Sequence, residues 1–391
     1  MGDRTEQEIK RDTKTHSLLS PSSAERWLNC PPSARMCEKF PEETSEYAEE
    51  GTTAHALGEI KLLRAFEKIS EDEYQKRLQE LKQDKFYSEE MEETTDYYLS
   101  VVKSLQTEEP KIFEVERSLD LTEFIPDGHG TADCLFLENT TLNIVDYKHG
   151  QGVLVEAPYN EQLQLYALGA YQIYSVLFDI KEVQMTICQP RKSNVDSFKM
   201  KVEDLLNFGE HVKKVAPIAW KGMGYCNAGR WCKFCRALPV CEAQAERARI
   251  IKDKINNDIN CLSDVEIIEV LDFSDSIINF LQNVKNYAMN RIIDGKELTG
   301  YKVVEGRSRR IFSDENKAIQ IASELIPSEE LYEKKLISLA NIEKKVGKKV
   351  FAEKFKSVIY TPQGSPTLVK DEDKRPEFKK NPTPQEDFKD F

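Results

Sequence analysis

No stretch of 18 apolar residues occurs in this sequence, which excludes a membrane-spanning helix. The N-terminal run MGDRTEQEIKRDTK has no apolar core, so it does not read as a secretory signal. Glu6 stands where a myristoylation site would need Ser or Thr. A basic excess is missing too: 68 Asp and Glu outnumber 55 Lys and Arg, for a net charge of −13. That balance argues against a protein that coats nucleic acid through charge alone. The nine cysteines are odd in number and come without a secretory signal. A disulfide framework is therefore disfavoured against reduced thiols or metal ligands. There is no internal repeat. Together these absences predict a cytoplasmic protein that neither spans nor is anchored to a membrane.

What is present is 391 residues, 40% of them hydrophobic, enough for two or three domains with a substantial core. The charge is unevenly spread. Residues 1–100 carry 23 acidic against 14 basic side chains, and residues 301–356 carry 13 basic against 9 acidic. A basic path on an acidic molecule is thus open.

Ser20 to Pro32 reads as a short capped helix stopped by Cys30-Pro31-Pro32, and 41–50 as an acidic loop. Ala54, Leu57, Ile60, Leu63 and Phe66 recur at helical spacing from Gly51 to about Ile69, and helix continues over 73–106. The period then drops to two over 112–116, 131–137 and 142–148, with Glu138-Asn139-Thr140-Thr141 as a hairpin. A helix over about 159–177 and a strand over 183–188 follow. This β-β-β-α-β order predicts an α/β fold, a mixed sheet flanked by helices. Beyond it come a helix over 200–219, a cysteine-rich stretch over 224–241 and helices over 242–295 and about 314–356. Residues 1–17 and the Pro-rich, charged tail from Thr361 read as disordered.

Asp133 and Asp146 lie on adjacent strands that pair antiparallel, and Lys148 follows on the same face as Asp146. Two carboxylates beside a lysine suit phosphodiester hydrolysis: the carboxylates hold Mg²⁺ or Mn²⁺ through oxygen, and the lysine orients water and balances charge. His55 and Glu59 share a helix face at i, i+4, as do Gln162 and Tyr166. Cys232-x2-Cys235-x5-Cys241, with Cys30 some 200 residues earlier, has ligand spacing that suits a tetrahedral zinc or a [4Fe–4S] cluster alike. Cys226 is a fifth candidate. Cys37, Cys134, Cys188 and Cys261 read as ordinary buried thiols. Gln189-Pro190-Arg191-Lys192 is either a phosphate contact or a solvated turn. Lys344, Lys345, Lys348 and Lys349 form a basic patch.

The series Ser20-Pro21-Ser22…Cys30-Pro31, Gly51…His55…Glu59, Gly130-x-x-Asp133, Asp146-Tyr147-Lys148-His149-Gly150 and Gln162-x3-Tyr166 resembles the RecB-type branch of the PD-(D/E)XK nucleases. The match covers about residues 18–245 and, more narrowly, is similar to a phage- and prophage-encoded RecB-like family. The resemblance implies a restriction-endonuclease-like sheet as the nuclease core over 18–245. A helical C-terminal region over 246–360 and a disordered tail over 361–391 would follow it. It implies His55, Asp133, Asp146 and the Tyr147 carbonyl as ligands of Mg²⁺ or Mn²⁺, and Lys148 as the catalytic lysine. Gln162 and Tyr166 would complete the motif near DNA, with Glu59 and Glu116 behind the ligands. One cysteine before the core and three after it match iron–sulfur relatives, AddB-like and CRISPR-associated exonucleases, and imply a [4Fe–4S] cluster on Cys30, Cys232, Cys235 and Cys241.

The function so implied is a metal-dependent deoxyribonuclease, an exonuclease processing DNA ends in phage replication or recombination within a bacterial host. Linear DNA ends, and a phage single-strand-binding or annealing protein, would be its partners. The competing expectation is a non-catalytic DNA-binding or assembly subunit that keeps the fold. A zinc-stapled scaffold is a third.

Overall fold

The computed structural model describes residues 17–41, 46–257 and 263–304. A 3-10 turn over Pro21–Ser23 leads into α1 (Ala24–Asn29). Two consecutive prolines stop that helix, because proline has no N–H to continue the ladder, and α2 (Ser33–Glu38) follows. Trp27 is fully buried here, its indole N–H donating to the Ser20 carbonyl at 3.1 Å.

Helix α3 (Glu46–Ala65) begins inside the stretch expected as an acidic loop. Its first turn carries Glu46 and Glu49, which favour a helix N-terminus. The helix expected over 73–106 is two helices, α4 (Glu71–Leu81) and α5 (Glu89–Leu105). Each starts on a serine whose hydroxyl accepts a backbone N–H: Ser70 from Glu73 at 3.2 Å and Ser88 from Met91 at 3.1 Å. Gly58 of α3 lets α5 approach, since a Cβ there would lie 3.3 Å from the Tyr98 ring.

Five strands form one mixed sheet in the order β1 (Ile112–Asp120), β2 (His129–Glu138), β3 (Thr141–Tyr147), β4 (Glu182–Gln189), β5 (Asn194–Lys201). Neighbours are antiparallel except β3 and β4, whose parallel pairing is crossed by α6 (Glu161–Tyr174). Strand β5 was not anticipated. Its Asn-Val-Asp-Ser-Phe-Lys-Met-Lys alternates weakly, and it sits at the sheet edge with only Met200 buried.

Both faces of the sheet are covered, which is why β2 and β3 read as nearly continuous apolar runs. Leu135, Leu137, Leu142 and Ile144 face α6 and α7 (Val202–Trp220). Cys134, Phe136, Val145 and Tyr147 face α3 and α5 through Leu57, Met91 and Tyr98. Two further helices, α8 (Glu242–Asn257) and α9 (Asp264–Ile293), lie within the region expected to be helical. Phe280 of α9 packs against Cys232 and Leu238. No described helix is long and apolar enough to cross a membrane. The N-terminal 16 residues, Cys261, the helix expected over 314–356 with its four lysines, and the tail lie outside the described residues.

Candidate functional site

The β2–β3 ladder ends at Cys134 opposite Val145. The next residues along each strand, Asp133 and Asp146, therefore sit where the strands part. The Asp133 carboxylate takes the place of the ladder there, accepting the Tyr147 backbone N–H at 2.7 Å. Strand alternation puts both aspartates on the α6 side, in line with Leu135 and Ile144. Lys148 Nζ lies 3.2 and 2.9 Å from the two Asp146 oxygens and donates to Gln162 Oε1 at 3.1 Å. Gln162 in turn donates to Asp146 Oδ1 at 3.3 Å and to the Tyr166 hydroxyl at 2.9 Å. One turn of α6 separates Gln162 from Tyr166, and Asn160 caps that helix by accepting the Leu163 N–H at 3.1 Å. Gly130 is required at the rim, because a Cβ there would meet Tyr166 and Pro21 at 2.9 Å each.

From the other side α3 brings His55, whose Nδ1 lies 3.3 Å from Asp133 Oδ1. Its ring meets the Tyr147 ring edge-on, the centroids 5.4 Å apart. Glu116 comes from β1 opposite Asp133, in a left-handed backbone conformation with φ of +48°. That conformation costs a non-glycine residue on the order of 1–3 kcal/mol and tends to mark functional positions. One donor atom each from His55, Glu116 and Asp133 lie within 4.8 Å of one another.

The charges are strongly interdependent. Burial opposes a charge on His55, but Asp133 outweighs it and lifts the imidazole to about 9. Burial opposes ionisation of Asp133 as well, yet His55, Lys148 and the Tyr147 N–H hold it below the usual carboxylate range. Asp146 goes the other way: burial, then the Asp133 charge, raise it against the pull of Lys148. Burial also opposes the Lys148 ammonium, and the two aspartates override that and raise it. Asp146 is 2% exposed, and its Oδ2 is buried without a hydrogen bond in good geometry. Hard carboxylate oxygens with one imidazole, two of the carboxylates forming a buried like-charge pair, are a donor set that fits Mg²⁺ or Mn²⁺.

The structure thus brings His55, Asp133, Asp146, Lys148, Gln162 and Tyr166 together, with the Tyr147 backbone among them and Glu116 drawn in from β1. Glu59 is instead engaged by Arg77 at 2.7 Å. Arg191, read as a phosphate contact or part of a solvated turn, is engaged by carboxylates. Its side chain is 9% exposed and pairs with Glu50 at 2.8 Å and Glu90 at 3.1 Å. His149 joins the same network, with Nδ1 2.9 Å from the Tyr147 hydroxyl and Nε2 3.4 Å from Glu50. This clasp holds the start of α3, and with it His55, to the end of β3.

The thiols form a second centre. Cys30 follows α1, and Cys226, Cys232, Cys235 and Cys241 lie between α7 and α8; all five line one small cavity. The amides of Asn227 and Gly229 donate to the Cys30 and Cys232 sulfurs, each at 3.4 Å. Burial, then Cys30 and Cys241, push the Cys226 thiol up to about 11. Cys37 is not the isolated thiol expected. Its Sγ lies 3.7 Å from Cys235 Sγ, and Arg26 donates to it at 3.2 Å. That hydrogen bond to Cys235 and the guanidinium hold Cys37 down to about 5 against its burial. No three described thiols come within 4.8 Å of one another. Thiolates around a tetrahedral zinc would stand about 3.8 Å apart, given a zinc–sulfur distance of about 2.3 Å.

Fold and sites together define a mixed α/β protein with a carboxylate–histidine–lysine centre and a cysteine-lined knot. The chain belongs to the family described as protein of unknown function (DUF2800), whose model matches residues 16–376. A solved chain, "Crystal structure of SSO0001", is similar over 54% of this chain and 95% of its own, at 15% identity and a TM-score of 0.21.

Proposed function

We propose that the protein is a metal-dependent DNA nuclease. The observation that carries this reading is the convergence of Asp133, Asp146 and Lys148 where β2 and β3 part, with Gln162 bridging the lysine and the carboxylate. Asp133, Asp146, His55 and Glu116 would hold Mg²⁺ or Mn²⁺. Bound there, the cation would lower the pKa of water and offset charge growing on the phosphate. Lys148, kept protonated by the aspartates, orients the attacking water and supplies a fixed positive charge beside the reacting phosphate. Gln162 fixes the lysine's position, and Tyr166 fixes the glutamine. His55 must give up its proton to bind the cation. The motif series described above supports action from DNA ends, with processing in phage replication or recombination as its setting.

The same reading assigns a [4Fe–4S] cluster to Cys30, Cys232, Cys235 and Cys241. It is supported by their common cavity and by the amide donors to two of the sulfurs. By tying α1 to the loop before α8, the thiols would close the chain around the sheet.

The deciding experiment is cleavage of end-labelled linear and closed circular DNA by anaerobically purified protein with Mg²⁺ or Mn²⁺, beside Asp146→Ala and Lys148→Ala. Loss of the linear substrate with parent protein alone supports the reading. Equal inertness of all three, in folded and metal-replete protein, overturns the catalytic assignment in favour of an assembly subunit. Broad violet absorption with iron would support the cluster, and a colourless zinc protein would reject it.

A further inference from the structure

The stretch from His211 to Cys241 contains no aspartate or glutamate, although the whole chain carries a net charge of −13. It does contain Lys213, Lys214, Lys221, Arg230, Lys233 and Arg236. The part between α7 and α8 also exposes aromatic rings that a folded protein normally buries. Tyr225 is 94% exposed and Phe234 75% exposed. Both flank cysteines that line the same cavity, Cys226 and Cys235, so the two rings project from one small knot. Lys221 and Lys233 are exposed beside them, and Lys233 Nζ lies 5.8 Å from the Phe234 ring centroid.

We infer that this knot is a binding platform for single-stranded nucleic acid, with Tyr225 and Phe234 stacking on bases and Lys221, Lys233 and Arg230 meeting the backbone. A ring on the surface gains from a flat partner. The bases of a lone strand offer both faces, whereas those of a duplex are already stacked, so exposed rings interleaved with cations select the single strand. An acidic peptide would satisfy the cations and leave the rings without partners.

The platform reaches the first turn of α6 through Arg230. Arg230 pairs with Glu25 of α1 at 2.5 Å. Burial and Glu25 raise the Glu161 carboxyl, and Arg230 opposes them. Glu161 immediately precedes Gln162, which touches Asp146 and Lys148. A backbone phosphate that displaced Glu25 from Arg230 would therefore place its strand at the first turn of α6. The platform rests on the nuclease reading for the choice of nucleic acid over other polyanions. It adds that the strand entering the site is single.

The test is fluorescence anisotropy of labelled oligo(dT) and of a duplex of equal length, without divalent cation, on the full chain. Tyr225→Ala/Phe234→Ala should weaken oligo(dT) binding at least about tenfold and duplex binding less than about twofold. Far-UV circular dichroism and metal content serve as the folding control. Unchanged oligo(dT) affinity, or equal loss for both substrates, overturns the platform. Should that variant lose its metal, Lys221→Glu/Lys233→Glu decides through salt dependence. The slope of log affinity against log salt should fall by about 0.7 per lost phosphate contact, and an unchanged slope overturns the platform. Ring-dependent oligo(dT) binding by a protein that cleaves nothing would keep the platform and sink the nuclease reading. Cleavage with ring-independent binding would do the reverse.

Discussion

The carboxylate centre and the cysteine knot are built in opposite ways. Every charged group of the first is held by a neighbour on regular structure: Asp133 by a strand amide, Lys148 by Asp146 and Gln162, His55 by Asp133. The second gathers thiols from chain positions some 200 residues apart onto irregular backbone and two 3-10 turns. A site on ladders and helices is preorganised whatever fills it. A site on loops draws its order from its ligand, since binding free energy there becomes folding free energy. Removing a ligand should therefore impair activity at the first centre and stability at the second.

The largest expected effect is on chemistry. Lys148→Ala should slow DNA cleavage by about 10²–10⁴-fold, and Asp146→Asn by at least as much, in single-turnover assays. Asp146→Asn should shift stability by less than about 1 kcal/mol, because it relieves the burial and Asp133 repulsion that oppose its charge as it gives up the pull of Lys148. Cys232→Ser should do the opposite, costing on the order of 4 kcal/mol in denaturant melts. If Cys232→Ser melts like the parent while Asp146→Asn unfolds, the division between the two centres is reversed.

His55 gives a pH dependence of definite sign. Its imidazole is raised to about 9 by Asp133, so between neutral pH and that value a cation must displace a proton. Isothermal titration should find Mn²⁺ affinity rising by up to about tenfold per pH unit over that range, and His55→Asn should flatten the rise. The linked stability runs the other way in metal-free protein. The His55–Asp133 contribution is complete below the ordinary imidazole value near 6.5 and is lost as pH climbs through about 9.

Glu116→Gly sharpens the contrast further. It relieves the +48° φ and should raise stability by about 1 kcal/mol, while weakening Mn²⁺ binding in the same titration. A variant that is both less stable and fully metal-competent would show that Glu116 serves β1 and not the centre. The smallest effect belongs to Glu59→Ala. Its partly exposed pair with Arg77 is worth about 0–1 kcal/mol, and metal affinity should not move.

Much of the fold was legible because its signals are local. Apolar strand-like runs marked β1 to β4, helical spacing marked α3, and α4, α5 and α6 each start on a capping side chain. Two features were missed for the same reason in reverse. β5 gave a weak signal because only Met200 on it is buried. The break between α4 and α5 lay in Ser88, a cap that apolar periodicity alone does not register. At the site, Asp133, Asp146 and Lys148 could be paired from strand parity. Glu116 could not be ranked above Glu59, because its approach depends on a backbone conformation that residue type does not specify. Arg191 read as a phosphate contact or a solvated turn, and its pairing with Glu50 and Glu90 was not legible because they lie about 100 or more residues away in the chain.

By itself, then, the order of residues determined the strands, the helix faces and which side chains share them, because those periodicities are properties of the backbone. Tertiary structure decided which shared faces meet. The end of one ladder chose Asp133 and Asp146, a close helix crossing brought His55, and a left-handed residue added Glu116. Cys37 met both Cys235 and Arg26. Such meetings depend on distance through space, which sequence separation does not encode.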